Sequence, residues 1–165
     1  MFMIFLVLLI LSFSESKRTP QVTTRANGGV DDHTDLESAI MEMRSNSYHG
    51  FAILLQMLDH TWQPTGTSLT FFVPSDSELS QHPILAYRLQ TFLLSHAMPM
   101  SLQFNDLVHF PNGTLVPSAQ PNRMIRIRNR GRGEFFVNNA RIVAPNVCLN
   151  SSVKCHGIDK VINYA

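Results

Sequence analysis

The residues best placed to do chemistry are a run of arginines, one histidine and one pair of cysteines. Arg123, Arg126, Arg128, Arg130, Arg132 and Arg141 crowd the last quarter of the 165-residue chain, where eight Lys and Arg from Gln120 onward meet only Glu134 and Asp159. Ahead of that point five bases stand against ten acids, so the net charge of +1 hides a strong asymmetry. Clustered like charge raises the local concentration of a polyanion, which makes a ribbon of Arg126, Arg128 and Arg141 a candidate contact for acidic polysaccharide. A solvated strand face accounts for the same residues, because alternation puts Arg126 and Arg128 on the water side of a strand. Arg130-Gly131-Arg132-Gly133 is similar to basic glycine-rich RNA-binding segments. One short copy points away from nucleic acid as a partner.

His96 falls four residues after Phe92 on an apolar helical stripe with Leu89. That placement favours a packed core histidine over a residue for binding or proton transfer. Cys148 and Cys155 are the only cysteines, and in an oxidising compartment so close a pair is read as a disulfide. Closing the loop between them restricts the unfolded chain by about 2–3 kcal/mol on the loop-entropy argument. A zinc site needs four ligands, and only His156 lies nearby in sequence. Asp76 and Glu78 read as helix-capping residues rather than a catalytic pair. The chain has no Gly-x-Ser-x-Gly elbow, no His-Glu-x-x-His helix and no phosphate-cradling glycine loop, so neither an enzyme nor a cofactor is expected. The alternative is a secreted hydrolase or inhibitor whose site assembles from distant residues.

These side chains belong outside a cell if the first residues are read as targeting. Met1 to Phe13 is nearly unbroken apolar sequence before Ser14-Glu15-Ser16-Lys17-Arg18, the anatomy of a signal peptide. As a helix, about 13 residues would reach about 20 Å, short of the roughly 30 Å bilayer core. The expected organisation is a signal peptide over 1–16, a flexible polar leader over 17–33 and one domain over 34–165. Asn112-Gly113-Thr114 and Asn150-Ser151-Ser152 are acceptor sequons, which makes Asn112 and Asn150 candidate N-glycosylation sites. Both also sit in sequence that suits a turn.

The elements that must position these groups follow from periodicity. Thr34-Asp35-Leu36-Glu37 forms a capping box ahead of a helix with Leu36, Ile40 and Met43 on one stripe. A second helix from about Ser47 carries Phe51, Leu54, Leu55 and Leu58. Leu69 to Val73 is a buried strand, Ser75-Asp76-Ser77-Glu78 a second capping box, and Pro83 to His96 a longer helix burying Leu85, Leu89, Phe92 and Leu93. A short helix covers Phe104 to Val108. Beyond Pro111 the period changes to two. Asn122 to Arg128 alternates with Ile125 and Ile127 inward, and Glu134–Val137 with Ala140–Val143 makes a hairpin around Asn138-Asn139. A last pair, Asn146–Leu149 and Val153–Ile158, sets Cys148 opposite Cys155. Helices first and strands last predicts an α+β fold.

Three segments, Leu69 to Leu79, Leu93 to Pro99 and Phe136 to Val143, resemble in order the conserved boxes of the fasciclin domain, and Gly157 to Ile162 is similar to that family's closing strand. The resemblance spans about residues 36 to 162. It implies an α+β wedge or sandwich displayed outside cells, a non-enzymatic adhesion module of the matrix or plant cell wall. Its partners would be extracellular matrix or cell-wall polysaccharide or protein, and its location the apoplast or cell wall. Ser95 stands where many relatives have a tyrosine before the histidine, a pair linked in some of them to cell binding. Asn139 replaces a turn glycine. Many plant relatives carry Pro-rich glycan-bearing stretches and a lipid anchor, whereas here there are no clustered Ala-Pro or Ser-Pro repeats, and no stable membrane anchor is expected.

Overall fold

The computed structural model describes residues 30–58, 68–131 and 133–164, the first five by their backbone. The signal peptide expected at 1–16 and residues 17–29 of the leader lie outside the described residues. Helix α1 runs Val30–Ser45, so it opens ahead of the expected capping box. Thr34 and Glu37 are internal to it, and only the first turn of a helix has N–H groups left to cap. Helix α2 (His49–Gln56) follows a tight turn in which Ser47 takes φ 66°. It buries Phe51, Ala52 and Leu55.

Strand β1 (Thr70–Pro74) is buried at every position and divides two cores. Phe71 and Val73 join Met43, Phe51, Leu93 and the cysteines on the helical side. Phe72 joins Met98, Ile125, Ile127 and Ile158 on the other, as the two-residue alternation of a strand demands. Buried Thr70 is satisfied, donating to the Met100 carbonyl at 2.7 Å and accepting from the Leu102 N–H at 2.8 Å. Helix α3 (Asp76–Leu79) starts at the foreseen cap, with Ser75 Oγ accepting the Glu78 N–H at 3.3 Å. The carboxylates go elsewhere. Asp76 Oδ1 accepts the Gly50 N–H at 2.8 Å, capping α2 from across the fold, and Glu78 Oε1 accepts the Val161 N–H at 3.1 Å.

The long helix expected from Pro83 is shorter. Leu85 is extended (φ −74°, ψ 140°), Ala86–Arg88 makes one 3-10 turn, and α4 covers only Leu89–Ser95. Leu85 therefore leaves the apolar stripe and lies 51% exposed, while Leu89 and Leu93 stay buried. Strand β2 (Ala97–Met98), α5 (Phe104–Leu107) and an unanticipated strand β3 (Leu115–Pro117) lead into β4 (Met124–Asn129), β5 (Phe135–Val137), β6 (Ala140–Cys148) and β7 (Lys154–Ile158). One seven-stranded sheet holds them in the order β2-β1-β7-β6-β5-β4-β3. Its neighbours are antiparallel except β1 and β7, which run parallel from Thr70↔Lys154 to Pro74↔Ile158. The α+β expectation holds.

The two segments expected at Ala140–Val143 and Asn146–Leu149 are one strand. Register shifts between Ile142 and Ala144 and between Ala144 and Cys148 absorb the intervening residues, with Asn146 at φ 56°. Cys148 and Cys155 pair across β6 and β7 and are disulfide-bonded, with Cα atoms 4.8 Å apart. Glu42 of α1 holds the loop they close, accepting the N–H groups of Leu149 at 2.7 Å and Asn150 at 3.1 Å. Gly157 is where β7 passes under Tyr48. A Cβ there would sit 1.8 Å from the Tyr48 hydroxyl and 2.9 Å from Ala144 Cβ. Among the described residues no helix is long and apolar enough to cross a membrane.

Candidate functional site

The sheet register assembles the arginines. Arg128 of β4 lies opposite Phe136 of β5, and Phe136 opposite Arg141 of β6, so the three form one row. Arg126 is two residues from Arg128 and shares its face, while Ile125 and Ile127 point into the core with no exposure. The guanidiniums of Arg128 and Arg130 sit 5.6 and 5.1 Å from the centre of the Phe136 ring. Both are drawn to the negative face of the aromatic system. Arg128 also donates through Nη2 to the Asn138 carbonyl. Two acids stand beside this face: Asp159, whose Oδ1 accepts the Arg141 backbone N–H at 2.7 Å and whose Oδ2 stands 4.0 Å from Arg141 Nε, and Glu134, whose backbone carbonyl accepts the Arg130 N–H at 3.0 Å. The face is therefore basic, with one acid at its Arg141 end and one beside Arg130.

At the β3 end this face sinks into a groove of about 580 Å³. Arg126 and Arg128 stand on one side of it, with Leu115 and Met124 as its apolar part. Asn138, Asn139, Asn163 and Tyr164 complete the lining. The hairpin amides fix the wall. Asn138 accepts the Arg126 N–H at 2.8 Å and donates to the Asn163 carbonyl at 3.0 Å. Asn139 accepts the Asn163 N–H at 2.7 Å and donates to the Val161 carbonyl at 2.9 Å. The turn places Asn138, rather than Asn139, at positive φ (54°). Tyr164 donates to the Ser95 carbonyl and its ring lies 5.4 Å from the Arg123 guanidinium. Burial raises its phenol pKa, against smaller opposing effects of Ser118 and Arg123.

His96 is elsewhere, fully buried behind α4. Its Nδ1 faces the Phe92 carbonyl at 2.8 Å and its Nε2 accepts the Ile162 N–H at 3.0 Å, which assigns the neutral tautomer protonated on Nδ1. Desolvation lowers its pKa to about 4, only partly offset by the Phe92 carbonyl. His156, absent from the sequence-derived candidates, is a second buried ring. It accepts the Asn146 N–H on Nδ1 at 3.0 Å and donates from Nε2 to the Leu102 carbonyl at 3.0 Å. Burial lowers its pKa too. Among the described residues no three His, Cys, Asp or Glu side chains gather closely enough to hold a metal ion. Asn112 and Asn150 are both exposed. Asn112 Oδ1 accepts the Asn129 N–H at 3.1 Å, and its Nδ2, the atom a glycan would join, has no partner among the described residues.

The sequence model of the Fasciclin domain matches residues 46–164, most of the chain. The chain belongs to the fasciclin domain family. Fasciclin domains are adhesion-related modules of the cell exterior, generally without enzymatic activity. Fasciclin-like arabinogalactan protein 21 of Arabidopsis thaliana is 26% identical over 122 residues, covering 70% of this chain and 34% of its own length. A FAS1 domain-containing protein of Selaginella moellendorffii is 26% identical over 144 residues, covering 82% of this chain and 52% of its own. This fasciclin domain thus spans about a third to a half of those two relatives. A solved FAS1 domain pair from the insect cell adhesion molecule fasciclin I superposes with a TM-score of 0.50 at 18% identity, over 79% of this chain and 46% of that one. That likeness supports the fold.

The fasciclin boxes read in the sequence come together around one joint. The β1–α3 segment supplies Glu78 to Val161, the α4–β2 segment supplies His96 to Ile162, and the β5–β6 hairpin supplies Asn139 to Asn163. Residues 161–163 are therefore held by three carrier side chains in succession, which sets Asn163 and Tyr164 at the groove. Arg126 and Arg128 were legible candidates for this site. The C-terminal lining was not, since no local pattern marks it; the Asn138-Asn139 pair was the one signal, and it read only as a turn.

Proposed function

We propose that this fasciclin domain works outside the cell, in the wall or matrix, as a non-enzymatic adhesion module whose basic sheet face contacts acidic polysaccharide. One observation carries the reading. Arg126, Arg128 and Arg141, dispersed in sequence, lie on one face with Arg130, and among the described residues only two acids stand beside them, Asp159 near Arg141 and Glu134 across the turn from Arg130. Such a surface concentrates polyanions and loses them to salt. The commitment of both buried histidines to backbone groups supports a structural role for His96 rather than a direct contact.

The test is retention on a panel of cell-wall polysaccharides at two salt concentrations. Acidic glycans should retain the protein at low salt and release it at high salt, and changing Arg126, Arg128 and Arg141 to Ala should abolish retention. Salt-independent behaviour, or retention that survives the triple change, removes the reading and leaves a matrix protein as the partner to seek. Export and glycosylation at Asn112 and Asn150 complete the proposal, supported by the exposure of both asparagines. A mass loss on amide-cleaving deglycosylation of the secreted protein, divided between Asn112→Gln and Asn150→Gln variants, is the expected result.

A further inference from the structure

Beyond the general attraction of a basic face, we infer that the groove bounded by Arg126, Arg128, Asn163 and Tyr164 is a subsite for one acidic sugar residue, a hexuronate within an oligosaccharide. The inference rests on the reading of this face as a polysaccharide contact and names where recognition occurs.

Three features of the groove specify such a ligand together. It has an unneutralised cationic side. The Arg126 side chain has no partner among the described residues, and Arg128 holds only a carbonyl and an aromatic face, so a carboxylate would meet two guanidiniums with no competing acid. It has an apolar side, with Leu115 49% and Met124 46% exposed beside the Tyr164 ring, which suits the C–H face of a pyranose rather than a bare inorganic anion. It has a polar amide, Asn163, which is exposed and whose side chain has no partner among the described residues, available to ring hydroxyls. A volume of about 580 Å³ accommodates a short stretch of sugar chain.

The walls are also fixed before any ligand arrives. Asn138 and Asn139 spend their own hydrogen bonds on residues 161–163 and on the Arg126 backbone, so the groove does not have to be ordered by binding. One tension remains in it. Arg128 Nε is the one buried side-chain polar atom among the described residues without a hydrogen-bond partner. Being buried, it is out of reach of a ligand in the groove, which would meet the terminal guanidinium nitrogens instead.

The discriminating experiment is an amide NMR titration of the 15N-labelled protein with tri-galacturonic acid, run beside its methyl ester and beside retention on polymeric polygalacturonate. The expected result is saturable shifts at residues lining the groove. Affinity should fall about tenfold or more for the ester and for Arg126→Gln, the loss of one charge-assisted contact, and stay within about twofold for Arg88→Gln, an exposed arginine of the 3-10 turn that does not line the groove. The free Arg126→Gln spectrum shows whether that variant remains folded. Retention of the polymer with no groove shifts from the trimer overturns the subsite and leaves the basic-face reading standing. Groove shifts from the trimer without polymer retention support the subsite and overturn the broader reading. Absence of both overturns both, and equal loss in Arg126→Gln and Arg88→Gln overturns the subsite by reducing the groove to nonspecific charge.

Discussion

Nε2 of His96 accepts the backbone N–H of Ile162 at 3.0 Å, so a ring at the end of α4 fastens the segment that follows β7. The bond requires the neutral ring, because protonated Nε2 would be a donor facing a donor. This arrangement has a pH consequence. The pKa of His96 is about 4 in the fold against an ordinary 6.5. Between those values the unfolded chain binds a proton that the folded one refuses, so stability is full above about pH 6.5 and declines as pH falls toward 4. From pH 7 to pH 5 the loss from His96 is about 2 kcal/mol, and His156 acts in the same direction. Urea unfolding at the two pH values measures it. In His96→Gln the difference should shrink by about that amount; an undiminished difference would show that His96 does not titrate as the geometry requires.

Gly157 should tolerate no side chain. The Tyr48 hydroxyl occupies the space a Cβ would need, and Ala144 closes the other side. Gly157→Ala must displace a buried tyrosine and is expected to cost about 1–3 kcal/mol, the usual penalty of overpacking. Thermal or denaturant unfolding reads this directly. A neutral or stabilising effect would mean that β7 passes Tyr48 at a greater distance.

The disulfide and its clamp form a third prediction. Replacing both Cys148 and Cys155 with Ser should lower stability by about 2–3 kcal/mol, through the freedom returned to the unfolded chain. Glu42→Ala, which frees the N–H groups of Leu149 and Asn150, should cost about 1–2 kcal/mol and raise amide exchange within residues 149–154 selectively. Exchange that rises uniformly over the domain would contradict a local clamp.

Two caps can be separated by substitution. Ser75→Ala removes the N-cap of α3 and should cost about 1 kcal/mol. Asp76→Ala, one residue on, should act on α2 instead, because its carboxylate accepts from Gly50. Amide exchange resolved by residue tells the two apart, with early protection loss at 49–52 expected only for Asp76→Ala.

How far the sequence could be read depended on how local the cause was. Alternation fixed Ile125 and Ile127 inward and Arg126 and Arg128 outward, since a strand's period needs no tertiary partner. The Ser75 cap and the Cys148–Cys155 bridge were legible for the same reason. Leu85 failed because the residues after Pro83 make an extended step and a 3-10 turn before α4 takes up the helical period. The row Arg128–Phe136–Arg141 depends on register across three strands, which periodicity cannot supply. The groove required still more. Tyr164 and Asn163 reach it only because Glu78, His96 and Asn139, from three separate regions, take hold of residues 161–163 in turn.

The parallel pairing of β1 with β7 also constrains the order in which the protein can be made. Residues 70–74 leave the ribosome long before residues 154–158, yet β7 is the strand that separates β1 from the rest of the sheet. Until it arrives, Phe71-Phe72-Val73 has only the two-residue β2 as a strand neighbour, and both cores that this strand divides are incomplete. Long-range closure of this kind slows folding and prolongs exposure of an apolar edge. The domain therefore becomes an independent body only when β7 slides into the middle of the sheet.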